Sequence, residues 1–108
     1  MSPAEYRIVI APEAYEDLDE IWDYIEDLAQ DPALANRYIT RLLASVENLT
    51  MFPESRPSLA DVRPGYHYFQ HEKKIVVVFE AVAEAVHIVA FYSSRQNWRS
   101  KLRRQFGQ

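Results

Sequence analysis

Arg63-Pro-Gly-Tyr-His-Tyr68, Ile75-Val-Val-Val-Phe79 and Val86-His-Ile-Val-Ala-Phe-Tyr92 are three runs of aromatic and β-branched residues, and their reading decides the fold. Such runs, separated only by His71-Glu-Lys and by Val82-Ala-Glu, predict three strands at about Tyr66–Gln70, Ile75–Ala81 and Ala85–Phe91. Links this short leave no room for a crossover, so the strands form an antiparallel meander. The middle run is uniformly apolar, which places it centrally and covered on at least one side. Gly65 sits where the chain tightens into the first of them, a place that suits a residue without Cβ. Past the last run, Ser94-Arg-Gln-Asn-Trp98 leads to Trp98, Leu102 and Phe106 at four-residue spacing, the stripe of a short terminal helix.

Upstream the period changes from two to 3.6. Tyr6-Arg-Ile-Val-Ile10 reads as a strand with Tyr6, Ile8 and Ile10 on one face. From Pro12 or Glu13, Ala14, Leu18, Ile21, Trp22 and Ile25 make one helical stripe, with Glu13, Glu16 and Asp17 near the positive end of the helix dipole. Trp22, Tyr24, Leu42 and Leu43 are expected in the core. Asp31-Pro32 restarts the helix as cap and first residue. Leu34, Tyr38, Ile39, Leu42, Leu43, Val46 and Leu49 continue at helical spacing until Phe52-Pro53 stops them. So short a connection makes a helical hairpin. Glu54–Asp61 reads as a loop crossing from hairpin to sheet. The fold class is therefore α+β: an N-terminal strand, an antiparallel helical hairpin on an antiparallel sheet, and a short C-terminal helix, in one domain over residues 1–108.

The chain has 108 residues, 48% of them hydrophobic and 13% aromatic, enough for one packed core. No apolar run approaches the roughly 18 residues of a membrane span. Cysteine is absent and the three histidines are scattered, which predicts no disulfide, no metal and no cofactor. The first residues lack a basic start followed by an apolar run, so a cytoplasmic location is expected. The net charge of −4 conceals an asymmetry: residues 1–36 carry ten acids against Arg7 alone, and from Ala85 onward five basic residues meet no acid. The acidic helix is read as a solvated face; the basic tail, whose charges alternate with Trp98, Leu102 and Phe106, is read as a binding element.

Several local patterns then fall in a consistent order. They are Ala14…Asp17-Leu18…Ile21…Tyr24-Ile25, Ala35…Tyr38, Leu49…Phe52-Pro53, Arg63…Gly65-Tyr66 and Phe91-Tyr-Ser-Ser-Arg-Gln-Asn97. Together, over nearly the whole chain, they resemble the RelE/ParE superfamily of toxins from type II toxin–antitoxin pairs. Two mechanisms live on that fold. RelE-like members are ribosome-dependent endoribonucleases that cut messenger RNA, whereas ParE-like members poison DNA gyrase without cutting nucleic acid. Ribosome binding favours a strongly basic protein, and here the isoelectric point is about 5.3. The stretch before Lys73-Lys74, where the enzymes often cluster Lys and Arg, holds only Arg56 and Arg63. The resemblance therefore implies the ParE-like branch, although Ser93 matches neither the His of that branch nor the acid of the other.

As a gyrase inhibitor, the resemblance implies no catalytic residue and a target-binding surface of Arg63, Tyr92, Arg95, Asn97 and Trp98. Arg95 leads because it follows the last strand, on a loop supported by a rigid sheet. Its ordinary alternative is an ion pair with the acidic first helix. Trp98, Leu102 and Phe106 are candidates for antitoxin binding, against the alternative that they pack on the domain's own sheet. As an endoribonuclease, the chain would use Arg63, His71, Tyr92 and Arg95, with His71 in an exposed turn. His67 and His87, each on a strand, and Tyr66 and Tyr68 are more simply structural. Expected partners are a cognate antitoxin and gyrase, or the ribosome and messenger RNA in the alternative, with a homodimer in isolation. A non-toxic relative of the same fold is the third reading.

Overall fold

The computed structural model describes residues 5–107. In chain order its elements are β1 (Arg7–Ile10), α1 (Pro12–Ala29), α2 (Pro32–Glu47), β2 (Tyr66–His71), β3 (Ile75–Val82), β4 (Ala85–Ser93) and α3 (Trp98–Phe106), with 3-10 turns at Asn48–Thr50 and Pro53–Ser55. The sheet order is β1-β4-β3-β2. The meander is present as read, each strand extending one or two residues further than expected. One pairing corrects the expectation of an antiparallel sheet: β1 runs parallel to β4, with Ile8 beside Val86 and Ile10 beside Ile88. The direction follows from the link. Ala11 alone joins β1 to α1, so β1 must point toward the end from which α1 starts back across the sheet.

Caps fix the hairpin. Pro12 and Pro32 each open a helix at a position where the missing N–H is no loss. Asp31 accepts from the Ala33 N–H at 3.0 Å, and Gln30 closes α1 in the left-handed region. Trp22 ties the helices together, its indole N–H donating to Asn36 Oδ1 at 2.7 Å. Tyr24 corrects the reading as core: it sits on the flank of the stripe away from α2 and is 54% exposed.

Two apolar layers flank the sheet. Ala14, Leu18, Tyr38, Leu42 and Val46 of the hairpin cover Phe69, Ile75, Val77, Phe79, Val86, Ile88 and Phe91. On the reverse face α3, through Leu102, covers Val76, Val78, Ala90 and Tyr92 together with Tyr66. Leu59, from the segment read as a plain loop, and Val62, just past it, are buried in that second layer. A bulge at Val78/Phe79 opposite β4 decides which residues face which layer. Strict alternation would place Ala90 with Val86 and Ile88. The extra residue flips the parity, sending Phe91 to the hairpin and Tyr92 to α3.

Candidate functional site

α3 is held to the sheet by cations on aromatic rings. The Arg99 guanidinium lies 4.8 Å from the Trp98 ring centre and 5.5 Å from that of Tyr68, whose ring is 5.1 Å from Trp98. Lys101 sits 5.7 Å over Tyr92. At the far end Arg63 stands 5.7 Å over Tyr66 and donates from Nη1 to the Phe106 carbonyl at 3.3 Å, where the negative end of the helix dipole favours it. Arg103 and Asp61 add an ion pair at 2.9 Å. The basic tail thus spends three of its charges on fastening α3.

The five residues assigned to target binding do not form one cluster. Asn97 caps α3 by accepting from the Ser100 N–H, and Trp98 is its first residue. Arg63 lies at the other end of this nine-residue helix, about 13 Å away along its axis. Tyr92 lies beneath α3, 2% exposed, with its hydroxyl donating to the Gln105 side-chain oxygen. Burial first, and then the nearby Asp17 charge, push its phenol far above the ordinary tyrosine range. Tyr92 therefore keeps its proton, and its burial beneath α3 leaves no ring face open to a base. Arg95 is exposed and, among the described residues, makes no ion pair, so its expected alternative with the acidic helix is not formed. The Ser94 N–H donates to the Lys74 carbonyl and its hydroxyl to that of Lys73, each at 2.8 Å. These bonds tie the Arg95 loop to the β2–β3 turn, so that Arg95, Lys73 and Lys74 share one end of the sheet.

His71 corrects the reading of an exposed turn residue. It ends β2, is 7% exposed and faces the hairpin, with Nδ1 2.7 Å from Ser45 Oγ and its ring edge-on to Tyr38. Nε2 approaches Glu72 Oε2 at 2.9 Å but at an angle too poor for a hydrogen bond. Glu72 in turn accepts from Arg41 Nε at 3.1 Å, and that bond holds its carboxyl below the ordinary range. Glu72 and Lys73 both have positive φ, a mirror-image turn closed by the Lys74 N–H to the His71 carbonyl at 2.9 Å. The four residues of the ribonuclease alternative are consequently split. His71 points to the hairpin face, Arg63 and Tyr92 belong to the α3 face, and Arg95 stands at the sheet's end.

The stripe assigned to antitoxin binding packs on the domain itself. Leu102 is wholly buried, while Trp98 and Phe106 are half-buried against the second layer, so the alternative of packing on the domain's own sheet is the arrangement present. Its drive is the bare strip of Val76 and Val78 on the reverse of β3. Sequence reading also missed Asp17. Its Oδ2 accepts from the Phe91 N–H at 3.0 Å, beyond the end of β1, where β4 has no strand neighbour on that edge and pairs only with β3 on the other. Its position three after Ala14 and four before Ile21, an acid on the edge of an apolar stripe, was the available signal.

A mixed four-stranded sheet with a helical hairpin on one face and a short helix on the other makes this a small α+β domain with two apolar layers. Residues 8–98 match the family described as ParE toxin of type II toxin-antitoxin system, parDE, and the chain belongs to that family. The fold is also similar to a solved structure described as the chromosomal ParDE TA system from P. aeruginosa, at TM-score 0.72 and 20% identity, covering 84% of this chain and 98% of that one. No curated protein matches the chain in sequence.

Proposed function

We propose that the chain is a toxin that inhibits DNA gyrase by a protein–protein contact and is neutralised by a cognate antitoxin. The observation that carries this reading is the split of Arg63, His71, Tyr92 and Arg95 over two faces and one end of the sheet. Cleavage of RNA needs a base, an acid and cations converging on one phosphate. A contact surface has no such requirement. Its centre is the end of the sheet where Arg95 stands with Lys73 and Lys74, continued by Asn97 and Trp98 at the start of α3, with Arg63 as an outlying contact and Tyr92 as support for α3. The antitoxin acts on α3: it meets the exposed edges of Trp98 and Phe106, and reaches Leu102 only when α3 leaves the sheet.

The test measures amino-acid incorporation and growth in bacteria minutes after induction, with gyrase supercoiling assayed in parallel using purified chain. Continued incorporation, elongating cells and inhibited supercoiling are expected, and the double substitution Arg95→Ala, Trp98→Ala should abolish the inhibition. A prompt stop in incorporation would replace this reading with messenger cleavage on the ribosome. Unaffected growth would indicate a non-toxic relative.

A further inference from the structure

At the corner opposite Arg95, the turn between β3 and β4 meets the segment that leaves α2, and an open groove of about 420 Å³ lies between them. Its apolar wall is Tyr6, Met51 and Phe52, and its rim is Glu5, Glu54 and Glu84. Phe52 is 69% exposed and Met51 37%, adjacent large side chains that the domain's own core leaves uncovered. Phe52 is also held in the left-handed region, at φ 52° and ψ 50°, where a bulky residue is strained. The hydroxyl and N–H of Ser55 both donate to its carbonyl, at 2.8 and 3.1 Å, and keep it there. Among the described residues none of the three rim carboxylates forms an ion pair: Arg7 and Arg56, two positions from Glu5 and Glu54, do not pair with them, and Arg56 lies instead over the Phe69 ring.

We infer that this groove is a second interaction surface and that its occupant is a cationic peptide segment of another protein carrying an aliphatic anchor. The apolar wall takes the anchor beside Phe52 and Met51, and the three carboxylates take basic residues on either side of it. Charge complementarity selects this occupant over an acidic or neutral segment, because an anchor without flanking cations leaves the rim unpaired and an acidic segment is repelled. The volume lies toward the lower end of the roughly 300–1,000 Å³ typical of ligand pockets, which suits one or two side chains rather than a packed domain. Nothing in this inference depends on gyrase as the target, since the groove and the Arg95 surface occupy opposite ends of the sheet.

The test uses the full chain with its methionine methyl groups labelled for NMR. There are two methionines, and the Met51 signal is assigned with Met51→Leu. The probe is an end-blocked hexapeptide alternating arginine and leucine, compared with one alternating glutamate and leucine and one alternating arginine and serine. The Met51 methyl should shift with the first peptide only. The double substitution Glu54→Gln, Glu84→Gln should weaken that binding about three- to tenfold, an effect that fades in high salt. Phe52→Ala should weaken it about tenfold or more; an exposed residue can be truncated without emptying the core. A still Met51 signal overturns the inference, as does equal binding of the acidic or serine peptide. Undiminished binding by the glutamine variant likewise overturns it.

Discussion

The two faces of the sheet are built on different principles. Beneath the hairpin, the layer is mostly aliphatic, supplied by two long stripes of regular helical period. Beneath α3, a nine-residue helix buries only Leu102 completely and relies on arginine and lysine over tyrosine and tryptophan. Dispersion and burial hold the first face at any salt concentration. The second depends on charges that are partly exposed, so its attachment weakens in salt. Stability is concentrated on one face, and the face proposed for recognition is the one that opens at lower cost.

Paired truncations offer the strongest challenge to that contrast. Leu42 and Leu102 are both wholly buried, one in each layer. Leu42→Ala should destabilise the whole domain by about 2–5 kcal/mol, with amide exchange quickening in α1, α2 and β3 together. Leu102→Ala removes the same atoms from a thinner layer. Exchange should quicken in α3 first, while β3 keeps its protection. Loss of protection in step throughout the second variant would show the two faces to be one cooperative unit and would end the contrast.

Asp17 gives the next test, because it is a polar intrusion into the aliphatic face. Asp17→Ala leaves the Phe91 N–H without its acceptor, a loss of about 1–3 kcal/mol. Asp17→Asn keeps an acceptor oxygen and removes the charge. Burial chiefly raises the Asp17 carboxyl above its ordinary 3.8, against a smaller opposing effect of the Phe91 N–H. A raised value means that the folded state holds its proton longer than the unfolded one. Ionisation therefore draws on stability as pH rises from 3.8 through the folded value, and the asparagine variant should gain on the wild type across that interval. Equal pH profiles for the two would mean that the Asp17 charge is as well solvated folded as unfolded.

The same contrast explains how far the sequence could be read. Ala14, Leu18, Tyr38, Leu42 and Val46 announce their face by spacing alone, and Asp31-Pro32 and Phe52-Pro53 mark boundaries through backbone chemistry that acts locally. The meander is legible for the same reason. By contrast, the parallel pairing of β1 with β4 joins residues almost eighty positions apart, a relation no local pattern encodes. The bulge beside Phe79 is hidden because Ile88-Val-Ala-Phe91, the part of the run that contains it, is apolar on both faces, so its parity change leaves no mark in composition. For the candidate site, sequence supplies names of residues and no arrangement. Arg63, Tyr92, Arg95, Asn97 and Trp98 are all near α3, but burial of Tyr92 and the length of the helix separate them. His71 was misplaced because His71-Glu-Lys has the polarity of a turn, and only Ser45 and Tyr38, distant in sequence, draw its ring inward.

The His71 corner also supplies the smallest and most selective test, since its polar groups belong to the hairpin face yet lie at the domain surface. Arg41 donates to Glu72 while its guanidinium stands 5.3 Å over the Tyr38 ring. The bond from Arg41 is the main reason that the Glu72 carboxyl lies below its ordinary 4.5. A lowered value means that the unfolded state takes up the proton first. The contribution is thus complete above pH 4.5 and disappears as pH falls through the folded value. Arg41→Gln should match the wild type at the acid end and fall slightly below it at neutral pH, by the modest amount typical of an exposed pair. High salt should narrow that neutral-pH difference. A difference that persists unchanged into acid or in high salt would assign Arg41 to packing against Tyr38, making even this exposed corner of the hairpin face a matter of contact rather than charge.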